Sequence, residues 1–170
     1  MYNIGVIGGG KANEKYRGVS IELGKILASR KAVVFCGGMS GVMEWVAHGV
    51  KDGNGIIVGV LPGINMETGN GYLTVKMPTG IGYARNFLIV RASEAIIAVD
   101  GATGTISEAT FALSEGKSVI IIGDLDLERR KPDDGQIFRV GTASEAVDVA
   151  FEEAGKQRRK IAEGWRLPDS

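Results

Sequence analysis

The chain has 170 residues, enough for one domain with a sizeable core, and its 20 basic and 20 acidic residues cancel. That balance excludes an overall basic field for nucleic acid or an anionic membrane, so any anion has to be held by local geometry. One cysteine, Cys36, excludes an intrachain disulfide and fits a reducing cytoplasm, while one histidine, His48, leaves little for a histidine metal cluster or a serine–histidine triad.

The first residues, MYNIGVIGGGKA, lack the basic and apolar regions of a signal peptide. No apolar run approaches the length of a membrane span. Apolar patterning then predicts a strand at Tyr2–Ile7, a helix at Lys15–Ser29, a strand at Ala32–Phe35 and a helix at Val42–Lys51. A strand at Gly55–Val60 follows, with a short extra strand at Tyr72–Lys76 and a helix at Tyr83–Arg91. The series closes with a strand at Ala95–Val99, a helix at Thr105–Ser114, a strand at Ser118–Ile122 and a helix at Thr142–Ala154. Asp124–Gln136 is charged, carries Pro132 and reads as a surface loop. The pattern predicts one domain over 1–155 and a tail over 156–170 that holds Arg158, Arg159, Lys160 and Trp165.

Short Ile/Val-rich strands alternating with helices imply right-handed crossovers and strands covered on both faces. The expected architecture is α/β, a doubly wound, mostly parallel, Rossmann-like sheet in a three-layer α/β/α sandwich. In such a sheet ligands bind at the carboxyl ends of the strands.

Glycine accounts for 26 residues, and it gathers at those strand ends. Three turns carry it: Gly8-Gly9-Gly10, Gly37-Gly38-Met39-Ser40-Gly41, and Gly101-Ala102-Thr103-Gly104-Thr105. Each precedes a predicted helix, whose free N–H groups and dipole form an anion site without net charge. Glycine also makes βα turns with no ligand in view, but three such turns on one edge favour a phosphate-type ligand. The candidate contacts are Gly9, Gly10, Gly37, Gly38, Ser40, Gly41, Gly101, Thr103, Gly104 and Thr105. The P-loop spacing is absent, and the dinucleotide fingerprint fails at Asn13.

Glu108 has two readings. Thr105-Ile106-Ser107-Glu108 matches a capping box, as does Thr142-Ala143-Ser144-Glu145. Alternatively, a carboxylate deep in the crevice binds sugar hydroxyls or stabilises positive charge on a ribose ring. Arg85, at the start of its helix, is the candidate balancing cation. Tyr16 and Tyr83 are candidates to stack on a heterocycle, although packing is the commoner role of single aromatics near helix starts. Met39 and Met43 are expected on the crevice wall or in the core.

The segment from Arg85 to Glu108 resembles the signature of the lonely-guy family of cytokinin-activating nucleoside-monophosphate phosphoribohydrolases. That signature is an arginine on a helix, then P-G-G-x-G-T-x-x-E, here Asp100-Gly101-Ala102-Thr103-Gly104-Thr105-Ile106-Ser107-Glu108. The upstream turn Gly37-Gly38-Met39-Ser40-Gly41-Val42-Met43-Glu44 is similar to the family's G-G-x-x-G-L-M-G. The resemblance implies a homodimer or homotetramer, a phosphorylated small molecule on the glycine turns, and hydrolysis of an N-glycosidic bond by Arg85 and Glu108. It implies no required metal or cofactor, and no lysine decarboxylase activity. The sequence departs from the signature at Asp100, Ala102, Asn86 and Glu44, where the family has proline, glycine, lysine and glycine. In this it is similar to a divergent branch that includes molybdenum cofactor carrier proteins, which bind a pterin phosphate without catalysis. Two functions are therefore expected as alternatives: hydrolysis of a nucleoside monophosphate, or binding without catalysis, as a molybdenum cofactor carrier or a nucleotide-sensing module.

Overall fold

The computed structural model describes residues 1–101 and 103–164. In chain order the elements are β1 (Asn3–Gly8), α1 (Arg17–Ser29), β2 (Val33–Cys36), α2 (Val42–Asp52), β3 (Ile56–Leu61) and β4 (Val75–Pro78). They continue with α3 (Arg85–Ala92), β5 (Ala95–Val99), α4 (Thr103–Ser114), β6 (Val119–Ile122), β7 (Ile137–Val140) and α5 (Ala143–Ala162). The strands form one parallel sheet in the order β4-β3-β2-β1-β5-β6-β7. This is the doubly wound α/β architecture that the alternation of strands and helices predicts.

The order reverses at β1. The chain winds outward through β2, β3 and β4, then crosses back to lay β5 on the free side of β1. Ile4 pairs with Ala95, and the register runs to Gly8 beside Val99, so both strands end level. A crevice opens at such a reversal because the flanking connections leave on opposite faces.

Alternation along each strand separates two cores. Ile97, Val99, Ile120 and Ile122 face α1, α2 and α5. Ile96, Ala98, Val119 and Ile121 face α3 and α4. All five residues of β5 and all four of β6 are buried, which explains their unbroken apolar sequence. Edge strand β4 is mostly exposed and ends in Pro78, a residue an edge tolerates.

Three elements differ from expectation. The extra strand lies at Val75–Pro78, because Tyr72 and Leu73 turn inward instead, Tyr72 stacking on His48 at 4.6 Å. Strand β7 was not expected, and its Arg139 donates hydrogen bonds to the carbonyls of Leu125 and Leu127. Those two leucines are buried, so the charged 124–136 loop is pinned to the core under α3 and α4. Helix α5 runs on to Ala162 rather than ending at Ala154, and its capping box, Thr142 with Glu145, forms as predicted. Trp165 lies outside the described residues. No described helix is long and apolar enough to cross a membrane.

Helices α1 and α2 touch backbone to backbone through Gly24 and Gly49. A Cβ on Gly49 would collide with the carbonyl oxygen of Ile21, and one on Gly24 with that of Val46. Neither obstacle is a flexible side-chain end. Gly49→Ala is therefore expected to destabilise the fold by about 1–3 kcal/mol through overpacking, measured as a lower denaturant midpoint at unchanged m-value.

Candidate functional site

A cavity of about 210 Å³ opens at the β1–β5 reversal. Ile7, Gly8, Gly9 and Gly10 form one wall, at the end of β1. Gly37 and Met43 enter from the β2–α2 turn, Tyr83, Arg85 and Asn86 from the start of α3, and Gly104, Thr105 and Glu108 from α4. All three glycine turns foretold from sequence thus converge on one rim. A second, larger space lies alongside, bordered by Gly10, Lys11, Met39, Ser40, Met43, Pro62, Gly82, Tyr83 and Arg85.

The glycines do different jobs. Gly41, at φ +67°, presses against the backbone of Gly9 and Gly10. The Ser40 hydroxyl donates to the Gly10 carbonyl at 3.0 Å, and the Val42 N–H donates to that of Gly9 at 3.2 Å. These contacts lock the first two turns together. Gly38 backs onto Gly59 and Leu61 of β3, away from the cavity. Gly101 packs on the Thr105 side chain, and Thr103 is exposed; neither lines the cavity. Gly9, Gly10, Gly37, Gly104 and Thr105 do line it, and Ser40 lines the neighbouring space.

Gly37 has a further role. The Arg85 guanidinium lies across it, its two terminal nitrogens 2.5 and 2.7 Å from where a Cβ would stand. Only glycine leaves room for the arginine there.

Arg85 and Glu108 are each 9% exposed, and both border the cavity. No ion pair among those described joins them, and Arg85 Nε has no hydrogen-bond partner. The Oδ1 atom of neighbouring Asn86 is likewise buried without one. Burial pushes the Glu108 carboxyl up to about 7, with Arg85 acting in the opposite direction. Burial also lowers Arg85, and the attraction of Glu108 partly restores it. Chemically, the site sets a buried carboxyl and a desolvated guanidinium beside a rim of glycine turns.

The capping reading of Glu108 does not hold. Helix α4 is already under way at Thr103, so Thr105 stands inside its first turn and Glu108 is turned to the cavity. Where the same tetrad does cap, at Thr142, the helix begins one residue after the threonine. Asn86 appeared in the sequence only as a departure from a motif, and Ile7 as part of a strand. Their place in the wall depends on which way a strand end and a helix start face. Met39 and Met43 line the crevice as expected. Tyr16 is a packing residue, 8% exposed, whereas Tyr83 is 91% exposed at the cavity mouth. Cys36 is wholly buried, and burial pushes its thiol up to about 12.

Over residues 1–152 the chain matches the SLOG cluster4 family, and it belongs to that family. An uncharacterized protein of Archaeoglobus fulgidus is 40% identical over 119 residues, covering 70% of this chain and 78% of that one. A probable cytokinin riboside 5'-monophosphate phosphoribohydrolase of Oryza sativa subsp. japonica is 37% identical over 103 residues, 58% of this chain and 45% of its own length. The structure of the molybdenum cofactor binding protein from Rippkaea orientalis superposes with a TM-score of 0.81 at 26% identity, covering 89% of this chain and 96% of that one. The chain is thus of the lonely-guy-like superfamily, with the molybdenum cofactor carrier branch among its structural neighbours.

Two outcomes follow from this geometry. Gly37→Ala is expected to keep the fold, because the displaced guanidinium is the end of a flexible side chain, yet to weaken anion binding at the cavity about tenfold; phosphate-dependent thermal shift measures it. Glu108 ionises near 7 in the fold but near 4.5 when unfolded, so the folded state holds the extra proton and loses stability as pH rises between those values. Glu108→Gln is expected to stabilise the protein by about 3 kcal/mol at pH 8 and to change little at pH 4.5.

Proposed function

We propose that the protein binds a phosphorylated, nucleotide-like small molecule at this cleft and hydrolyses the N-glycosidic bond of a nucleoside 5'-monophosphate. The observation that carries the reading is the buried pair at the cavity floor, Arg85 and Glu108, each free of a competing ion-pair partner among those described. The rice relative named above supports the reaction class.

In this reading the ligand phosphate lies on N–H groups of the turns after β1 and β2 and at the start of α4, with Arg85 balancing its charge. Glu108, poised near neutrality, accepts a proton from water. The carbon–nitrogen bond breaks ahead of water addition, the base leaves with the bonding pair, the water oxygen then bonds to the anomeric carbon, and the base takes the proton that Glu108 has received from the water. Between bond breaking and bond making the ribose ring carries positive charge, which the Glu108 carboxylate stabilises before it takes the proton from water. No metal or other cofactor enters the scheme.

A second reading, a non-catalytic carrier of molybdenum cofactor, has its own support. The Rippkaea orientalis protein matches this chain nearly end to end. In addition, Asn86 adds no positive charge beside Arg85, where the sequence signature has lysine. Exposed Ile64, Ile81, Phe87 and Leu88 support pairing of two copies, and the single reduced Cys36 supports a cytoplasmic setting.

Release of free base from AMP and related monophosphates separates the two. Under the hydrolase reading Glu108→Gln leaves ligand affinity within a few-fold and lowers turnover by ~100-fold or more. Equal release by wild type and variant removes Glu108 from the chemistry. Thermal stabilisation by a pterin phosphate with no base released by the wild type favours the carrier.

A further inference from the structure

We propose that Tyr83 is the stacking face for a planar nitrogen heterocycle of the bound molecule, and so a determinant of which ring the site accepts. The inference rests on the cleft being a phosphate site, and it names the other end of the ligand.

Tyr83 is singular among the four tyrosines. Tyr2 packs edge-on against Phe151 at 5.4 Å, with Arg158 over its ring. Tyr72 stacks on His48. Tyr16 is buried, with Lys15 above its ring. The Tyr83 ring has no aromatic or cationic partner among the described residues and stands 91% exposed. Nearby Phe87, by contrast, already has an aromatic neighbour, Phe111, at 4.4 Å.

Its position is specific. Tyr83 borders the Arg85–Glu108 cavity, the groove between α3 and α4, and the adjoining space of about 610 Å³. That last space is walled by Met39, Met43 and Pro62. Methionine sulfur and proline suit the face of an aromatic ring and offer it no fixed hydrogen-bond pattern. The short helical turn carrying Tyr83 is anchored, because the Gly82 N–H donates to the Pro62 carbonyl at 2.9 Å. Gly82, at φ +59°, holds a left-handed conformation that favours glycine, and the Tyr83 side chain that follows it stands open to solvent. A molecule with its phosphate on the glycine turns can lay a ring between Tyr83 and the two methionines. Either a purine or a pterin meets that requirement.

The test is calorimetric titration of the full-length chain carrying Glu108→Gln, so that no probe is consumed. The probes are AMP, a pterin monophosphate and ribose 5-phosphate. Added Tyr83→Ala is expected to weaken the ring-bearing probe that binds by about tenfold or more, in the range found for base–aromatic stacking. It should leave ribose 5-phosphate within twofold, and Tyr83→Phe should retain ring binding within threefold. AMP and the pterin monophosphate together identify the ring. Equal weakening of ribose 5-phosphate, or no weakening of the ring-bearing probe, overturns the proposal. So does a Tyr83→Ala-dependent loss of self-association in sedimentation, which would place the ring in a subunit contact. If none of the three probes binds the Glu108→Gln parent, the phosphate-site reading itself fails.

Discussion

The Arg85 guanidinium occupies the space where a Gly37 side chain would stand, and that contact brings together parts of the chain almost fifty residues apart in sequence. Gly37 can receive it only because the β2–α2 turn is held tight by its neighbour. Gly41 touches the backbone of Gly9 and Gly10, Ser40 bonds the Gly10 carbonyl, and Val42 bonds that of Gly9. A methyl group at Gly41 would push the two turns apart. The cavity floor would go with them.

The sheet decides what stands opposite. Because β5 pairs with β1 and the two end level, the start of α4 is delivered to the same rim as the β1 turn. Glu108 follows one helical turn and a half into α4, at the depth where α4 packs over the sheet. Its carboxyl is buried there, and so is Arg85. Each is displaced toward its neutral form by loss of water, and each partly restores the other's charge. An acid and a cation kept apart in this way are costly to the fold, and such a cost is characteristic of functional sites rather than structural ion pairs. The surface pairs of this protein, such as Arg158 with Glu94 at 2.6 Å, show what it does when an ion pair is structural.

The two faces of the sheet divide the work. The face covered by α1, α2 and α5 holds the larger core, and its closest helix contact depends on glycines that admit no side chain. The face covered by α3 and α4 is thinner and leaves Ile81, Phe87 and Leu88 in water near the cavity mouth. The polar side chains that border the cavity, Tyr83, Arg85, Asn86, Thr105 and Glu108, all come from this second face.

The sequence by itself determined the alternation of strands and helices apart from β7, the parallel sheet, and the edge at which the glycine turns meet. Those follow from periodicity and from turn chemistry, which are local. It also marked Arg85 and Glu108, through their places around the third glycine turn and through the resemblance of that segment to the lonely-guy signature. It did not separate the two uses of the Thr-x-x-Glu tetrad, since Thr105–Glu108 and Thr142–Glu145 are identical in pattern and opposite in role. Nor did it divide the glycines into those that line the cavity and those, like Gly38 and Gly41, that hold turns in place. Tyr16 and Tyr83 likewise exchanged prospects only in three dimensions, one buried and one bare. These distinctions depend on where a helix starts relative to the sheet and on which neighbour fills the adjacent space. Both are set by packing between distant segments, and no local window of the chain contains them.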